Sequence, residues 1–314
     1  MPGKRLVIMT GLMAVCMVFH MTLGTRGSWD FVLPFRGTKL AALLLVAVAV
    51  STSTLLFQTV ARNRILTPSI MGFDALYVLI VTLSVFAIGA QSYGTLPPMV
   101  QFFLSLAIMV AASMLLFGTL LLHRKEDIVR MILTGIILGV LFRAVNSFVM
   151  RMIDPNEYSV IQTSSYARFS RIETDLLGIS AVLVLITLAL VWRMRHRLDV
   201  LALGREAAIN LGEDPRRDTV QILLLIAVLV SVSTAFVGPV AFLGLLVTSL
   251  THVITPTAHH AILLPSAALI SAIALIGGQT LLEHGLALST PLAVVIDSFG
   301  GILFLFLILK RART

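Results

Sequence analysis

Ionisable side chains are sparse in this chain, and two places hold them in a pattern that can do chemistry. The first is the apolar run 131–150, where Arg143, Asn146 and Ser147 stand at i, i+3 and i+4 on one helical face. A cation within such a run is expensive unless it faces a cavity or a partner. Gly135 and Gly139 on the same run permit close helix packing. Asp297 interrupts the last apolar run in the same way. With helices starting near 128 and 291, a rise of ~1.5 Å per residue puts Arg143 roughly 8 Å and Asp297 roughly 9 Å below one boundary of a ~30 Å hydrocarbon layer. The two are expected to face one pathway, either as an ion pair or with Arg143 left to meet an anionic cargo. That chemistry is charge recognition, with no bond made or broken.

The second place is the polar segment 199–212. Its sequence puts Ala207, Ala208 and Leu211 at helical spacing, with Arg205, Glu206 and Asn210 nearer the opposite side. Gly212 suits a helix C-cap and Pro215 blocks continuation. A short amphipathic helix between two apolar runs suggests a docking element for a soluble protein, or a helix lying on lipid.

Nothing else rises to a site. There is no Gly-x-x-x-x-Gly-Lys-Ser/Thr loop, no His-Glu-x-x-His helix and no Gly-x-Ser-x-Gly elbow. Cys16 is the single cysteine, and the 13 methionines are scattered as packing residues. His259 and His260 read as an interfacial pair, and Gln58, Asp74 and Gln279 as bonds to backbone or neighbouring helices. No catalytic residue, metal site or cofactor is expected on this chain.

The elements that must position these residues follow from composition. Of 314 residues, 58% are hydrophobic and 12% charged, with a mean hydropathy of +1.01. Soluble domains carry about 25% charged residues, so the chain belongs in lipid, and a soluble enzyme or a nucleic-acid-binding protein is excluded. Apolar runs near 6–24, 39–60, 69–89, 97–121, 128–150, 176–192, 219–237, 239–254, 261–282 and 291–309 predict an all-α, polytopic membrane protein with about ten transmembrane helices, as one domain over 1–314. The 219–254 region is also compatible with a helical hairpin that has one short arm. Lys4 and Arg5 before Leu6 to His20 imitate a signal peptide, but no small-x-small site follows, so a retained first span is expected.

Charge position gives the orientation. With the N-terminus inside, the inner segments hold Lys4, Arg5, Arg62, Arg64, Arg124, Lys125, Arg130, Arg193, Arg195, Arg197, Arg205, Arg216, Arg217, Lys310, Arg311 and Arg313, the majority of the 23 basic residues. Arg26, Arg36, Lys39, Arg151, Arg168 and Arg171 fall outside. The positive-inside rule then places both termini in the cytoplasm.

Leu201-Ala202-Leu203-Gly204 with Ala208, Leu211 and Gly212 resembles the coupling segment of the permease subunits of type II ABC importers, the FecCD/BtuC-like group that handles iron siderophores and vitamin B12. The likeness continues along the chain. Arg36 and Lys39 precede the second span where that family has an Arg-x-x-Arg pair, and Gln58 closes the span. Arg62 to Pro68 followed by Gly72 resembles its Asn-Pro-Leu-x-x-Pro turn. Gly238 with Phe242-Leu243-Gly244-Leu245 resembles its Phe-Ile-Gly-Leu segment, and His260 with Leu263-Leu264-Pro265 and then Pro291 match the starts of its ninth and tenth spans. Departures are Arg64 in place of Pro, Thr248, Ser249 and His252 in place of a Pro-His and Arg, and Gly278 and Leu282 in place of an Asp and Arg.

The resemblance implies type II ABC importer permease architecture in the bacterial cytoplasmic (inner) membrane, with a coupling segment within 193–218. Leu201, Leu203, Gly204, Glu206, Ala208, Leu211 and Gly212 would engage a cytoplasmic ABC ATPase dimer, which carries the ATP and magnesium. Arg36 and Lys39 would dock a periplasmic or lipid-anchored siderophore-binding protein, with Arg168 or Arg171 supplying charge that Leu282 lacks. Arg143, Asn146, Ser147 and Asp297 would line the translocation pathway. The Gly72-Phe73-Asp74 wording resembles a subgroup for catecholate or mixed-type siderophores, in which a second, homologous permease subunit completes a heterodimer; a homodimer is the other arrangement. A proton- or sodium-coupled carrier could use Arg143 and Asp297 as its ion-coupling pair, but would not need the 199–212 segment or the motif order.

Overall fold

A computed structural model describes residues 2–25, 27–122, 128–169, 172–285 and 291–311. Arg26, Arg124, Lys125, Arg171 and Arg313, used above for orientation or docking, lie outside the described residues. All regular structure among the described residues is helical.

Among the described residues, fourteen α-helices follow in order: α1 Pro2–Thr22, α2 Trp29–Ala61, α3 Phe73–Ile88, α4 Ala90–Thr95, α5 Pro98–Leu122, α6 Ile128–Met150, α7 Tyr158–Ser164, α8 Thr174–Arg193, α9 Arg195–Ala202, α10 Arg205–Asn210, α11 Pro215–Val237, α12 Leu243–Ile254, α13 His260–Thr280 and α14 Leu292–Arg311. Seven helices among the described residues are long and apolar enough to cross a bilayer, and three shorter apolar ones lie at Phe73–Ile88, Leu243–Ile254 and Leu292–Ile302. Every apolar run read from the sequence is one of these ten helices.

Two of them depart from a full crossing. The 12 residues of α12 rise about 18 Å, well short of ~30 Å of hydrocarbon. Its first turn packs Gly244 directly on Thr54 of α2. Thr54 lies seven residues before the end of α2, or about 10 Å in from that end, so α12 begins inside the membrane. The 16 residues of α3 likewise follow a buried 3₁₀ turn, Pro68–Met71. Gly72 (φ 89°) joins that turn to α3 against Gly139 of α6, where a Cβ on Gly72 would lie 2.5 Å from the Gly139 Cα. Met71 sits over Gly135. The glycine pair expected to permit close packing therefore receives this turn.

The core has two main parts. One packs α2, α5, α8 and α11 around Phe57, Phe102, Met109, Ile222 and Ile226. The other packs α1, α2, α12, α13 and α14 around Leu43, Val247, Leu275 and Ile276. Helix α1 lies along α13, with Met9 buried and His20 Nδ1 3.1 Å from Thr280 Oγ1, so the first apolar run is part of the folded body.

Candidate functional site

The interrupted helices converge on a cavity of about 570 Å³ lined by the turn before α3 (Thr67, Ser69, Ile70), by Asp74 on α3, by Ile136, Arg143 and Asn146 on α6, by Ser165 and Tyr166, by Pro239, Ala241, Phe242 and Leu245, and by Asp297 on α14. Three of the four pathway residues named from sequence, Arg143, Asn146 and Asp297, meet there. Ser147 is exposed on α6 and does not line the cavity.

Of the two arrangements expected for Arg143 and Asp297, the ion pair is not formed here, since no acid lies within ion-pair distance of Arg143 among the described residues. Asp297 Oδ1 instead accepts the Phe242 backbone N–H at 3.0 Å. Phe242 is the N-cap of α12, so the carboxylate satisfies an amide that a helix beginning inside a membrane leaves without a partner. It also sits at the positive end of the helix dipole. Asp74 lies in the first turn of α3, near the positive end of that helix dipole, and the Ser69 side chain bonds its carboxylate. Arg143 folds back over Gly139, its Nη2 3.7 Å from where a Cβ there would stand. The Asn146 Oδ1 is buried with no hydrogen-bond partner. The site thus joins two helix N-termini, each with its own carboxylate, to a guanidinium and an amide oxygen whose hydrogen bonds are open.

Asp74 was read from sequence as a structural bond. Its signal was the Pro68 to Gly72 wording just ahead of it, which marks an interrupted helix start. Tyr166 had no such signal. It reaches the cavity because Ala167 N–H donates to Pro239 O (3.2 Å) and Arg168 N–H to Val237 O (2.8 Å), strapping 166–168 to the break between α11 and α12. Gly238 (φ 103°) makes that approach possible, since a Cβ would lie 2.9 Å from Tyr166 O.

At the other end, the single helix expected over 199–212 is two, α9 and α10, with an elbow at Leu203 and Gly204 (φ 108°). Gly204 is the reason: its backbone lies in a region that L side chains disfavour, and its Cα faces Arg62 Nη1, 3.4 Å from an added Cβ. Gly212 (φ 84°) ends α10 as expected. Its N–H bonds Ile209 O and the Glu213 N–H bonds Ala208 O, both at 3.0 Å, the paired bonds of a Schellman cap.

The expected face containing both Ala208 and Leu211 is split. Leu198, Leu201 and Ala208 turn into the protein, while Leu203 (67% exposed), Ile209 (52%) and Leu211 (61%) form an outward apolar set. Glu206 and Gly212 are exposed beside them.

Two polar clamps fix this elbow. Arg197 Nη1 donates to Asp218 Oδ1 at 3.1 Å. Asp199 Oδ1 accepts from the His260 backbone N–H and contacts His260 Nδ1, both at 2.7 Å, while His260 Nε2 reaches Thr59 Oγ1 at 2.8 Å. Partial burial raises the Asp199 pKa, but the His260 hydrogen bonds outweigh it and hold the carboxyl below its ordinary value. His260, read from sequence as interfacial, therefore ties α9 to α13 and α2.

Arg36 and Lys39 have partners within the chain. Arg36 Nη1 donates to the carbonyls of His20 (2.8 Å), Met21 (3.3 Å) and Leu23 (2.7 Å), capping the end of α1. Lys39 is 9% exposed and paired with Glu283, which Gln279 also bonds at 2.6 Å. Lys39 therefore points inward, contrary to its expected outward presentation, with Glu283 as its counter-ion.

Among known proteins, the FecCD transport family matches residues 5–310. A petrobactin import system permease protein of Bacillus subtilis, YclO, is 41% identical over 99% of this chain and 98% of its own length. FatC of Bacillus anthracis, also a petrobactin import system permease protein, is 30% identical over 88% of this chain and 78% of its own. A solved chain assigned to the metal-chelate type of ABC transporter, in an inward-facing conformation, superposes with a TM-score of 0.85 at 21% identity, covering 99% of this chain and 100% of that one. With the family match running from residue 5 to residue 310 and a relative 41% identical almost end to end, the chain belongs to the FecCD transport family and is a membrane permease subunit, not an enzyme.

Proposed function

We propose that this chain is the permease subunit of an ATP-driven importer that moves a ferric siderophore of catecholate or mixed type across the bacterial cytoplasmic membrane. The near full-length likeness to a petrobactin permease carries this reading. The cavity supports it chemically. A ferric catecholate is a bulky anion, and the cavity offers Arg143 with no acid within ion-pair distance among the described residues, while Asp297 bonds the Phe242 N–H and Ser69 bonds Asp74. Helix N-termini beside a cavity at membrane depth favour an anionic cargo.

A second permease subunit would complete the passage. The helices α6 and α14 that line the cavity also expose Ile137, Val140, Leu141, Phe299 and Ile302, an apolar surface suited to a homologous chain or a second copy. The outward set Leu203, Ile209 and Leu211 would seat in a cleft of each cytoplasmic ATPase, so that ATPase closure moves α9 and, through Asp199 and His260, the ends of α2 and α13. ATP and magnesium would reside on that ATPase. Arg36 and Arg168 remain the docking candidates for an outer binding protein.

The test is uptake of iron-55 petrobactin in a host lacking its own petrobactin permease, with the chain expressed beside its neighbouring subunits. Restored uptake is expected, and substitution of the ATPase phosphate-binding lysine should abolish it. Uptake that survives that substitution and follows the proton or sodium gradient would establish the ion-coupled reading instead.

A further inference from the structure

A second cavity, of about 310 Å³, lies between the end of α2, helix α9 and the start of α13. Its lining combines Arg62, Arg64 and His252 with apolar Leu55, Leu203 and Leu263. It is separate from the membrane-depth cavity, and the two share no lining residue.

Its charges do not balance. Arg62 and Arg64 supply two positive charges, and neither side chain has a hydrogen-bond or ion-pair partner among the described residues. The acid that lines the cavity is Asp199. Its oxygens are occupied by His260 at 2.7 Å and His259 at 3.4 Å. Even with Asp199 counted in full, one positive charge is left over, and the imidazole of His252 adds a further donor. Arg62 is also fixed in place: it is the left-handed C-cap of α2 (φ 49°), its own N–H bonded to the last turn, and its guanidinium lies against Gly204 at the elbow. Two guanidinium groups around a concave space make a recognition set for an oxyanion, for which arginine geometry suits phosphate oxygens.

The apolar part of the lining indicates the source. Leu55 and Leu263 are buried side chains near the ends of α2 and α13, at the level where a membrane-spanning helix meets lipid headgroups. Cations at the headgroup level beside apolar side chains match the order of charge and hydrocarbon in an anionic phospholipid. We infer that this cavity is a phosphate-recognition site in which Arg62, Arg64 and His252 hold the headgroup of an anionic phospholipid of the cytoplasmic leaflet, next to the elbow between α9 and α10. Occupancy there would neutralise the excess charge and brace the elbow. The site does not depend on which cargo the protein carries.

The test uses the full-length chain, purified with its co-expressed subunits and placed in nanodiscs of phosphatidylcholine alone or with one quarter phosphatidylglycerol. Native mass spectrometry counts retained phosphatidylglycerol, and phosphorus NMR titration with inorganic phosphate is run in the phosphatidylcholine discs. Arg62→Gln with Arg64→Gln should reduce retained phosphatidylglycerol at least fivefold, whereas Lys4→Gln with Arg193→Gln, the same charge removed elsewhere on that side, should not. Arg62→Lys with Arg64→Lys, which keeps the charge and reports on folding, should retain an intermediate amount. Saturable binding of inorganic phosphate that the glutamine pair abolishes, with no preference for phosphatidylglycerol, would keep the oxyanion site but reassign it to a soluble phosphate. Equal loss in the control pair, no binding of either probe, or carbodiimide cross-linking of the Arg62→Lys/Arg64→Lys form to an ATPase carboxylate in lipid-free complex would overturn the proposal.

Discussion

At the scale of single residues, the membrane-depth site turns on which charges are already satisfied. Asp297 bonds Phe242 N–H at the start of α12, so Asp297→Asn should keep most stability because an amide oxygen accepts the same bond. Asp297→Ala should cost about 1 kcal/mol, the usual loss of a helix cap, read as a lower melting temperature. Arg143→Gln should leave melting unchanged and cut cargo uptake at least tenfold. An Arg143→Asp, Asp297→Arg swap should not restore uptake, because the two are not partners; full recovery would reinstate the pair. That these residues line one cavity was foreshadowed in the sequence, where counting residues along each helix gave them similar heights. Their separation was not, because counting gives height and says nothing of what stands between two helices. Asp199 carries a pH dependence. Its folded-state pKa lies below the ordinary value, so its contribution is present above that ordinary value, ~3.9, and is lost as pH falls through the depressed one. The melting difference between the native chain and Asp199→Asn should therefore hold from pH 7 to about 4.5 and shrink below it; a difference that vanishes by pH 6 would refute the clamp.

At the scale of elements, the ten apolar helices were legible because hydropathy dominates a chain with 12% charged residues. Breaks in helices were less so. The elbow at Gly204 depends on a backbone conformation (φ 108°) that a helical pattern of Ala and Leu conceals. The start of α12 inside the membrane depends on contacts with Thr54, Asp297 and Tyr166 that lie far away in sequence. The elbow separates inward from outward apolar residues, and substitution can read whether the outward ones carry the proposed docking role. Leu211→Glu, at a position 61% exposed, should leave expression and melting intact while ATPase co-purification and ATP-dependent uptake fall at least tenfold. Ala208→Leu, at a position with no exposure, should destabilise by about 1–3 kcal/mol through overpacking. If Leu211→Glu unfolds the protein instead, the outward set is part of the core and the docking role fails.

For the molecule as a whole, orientation came from the placement of basic residues, and the single cysteine makes it measurable. In a Cys16→Ser background, a cysteine at Thr257, between α12 and α13, should react with a membrane-impermeant maleimide only in inverted vesicles. A cysteine at Asn156, between α6 and α7, should react only in right-side-out ones. The reverse pattern would invert the topology. The brevity of α12 bears on biogenesis. Its 12 residues are too few for the insertion machinery to accept as a span on their own, and its first amide is satisfied by Asp297, which is synthesised 55 positions later. During synthesis this piece must wait, sheltered by α2, until α13 and α14 have emerged, so the stretch from α12 to α14 enters the bilayer as a unit and not helix by helix.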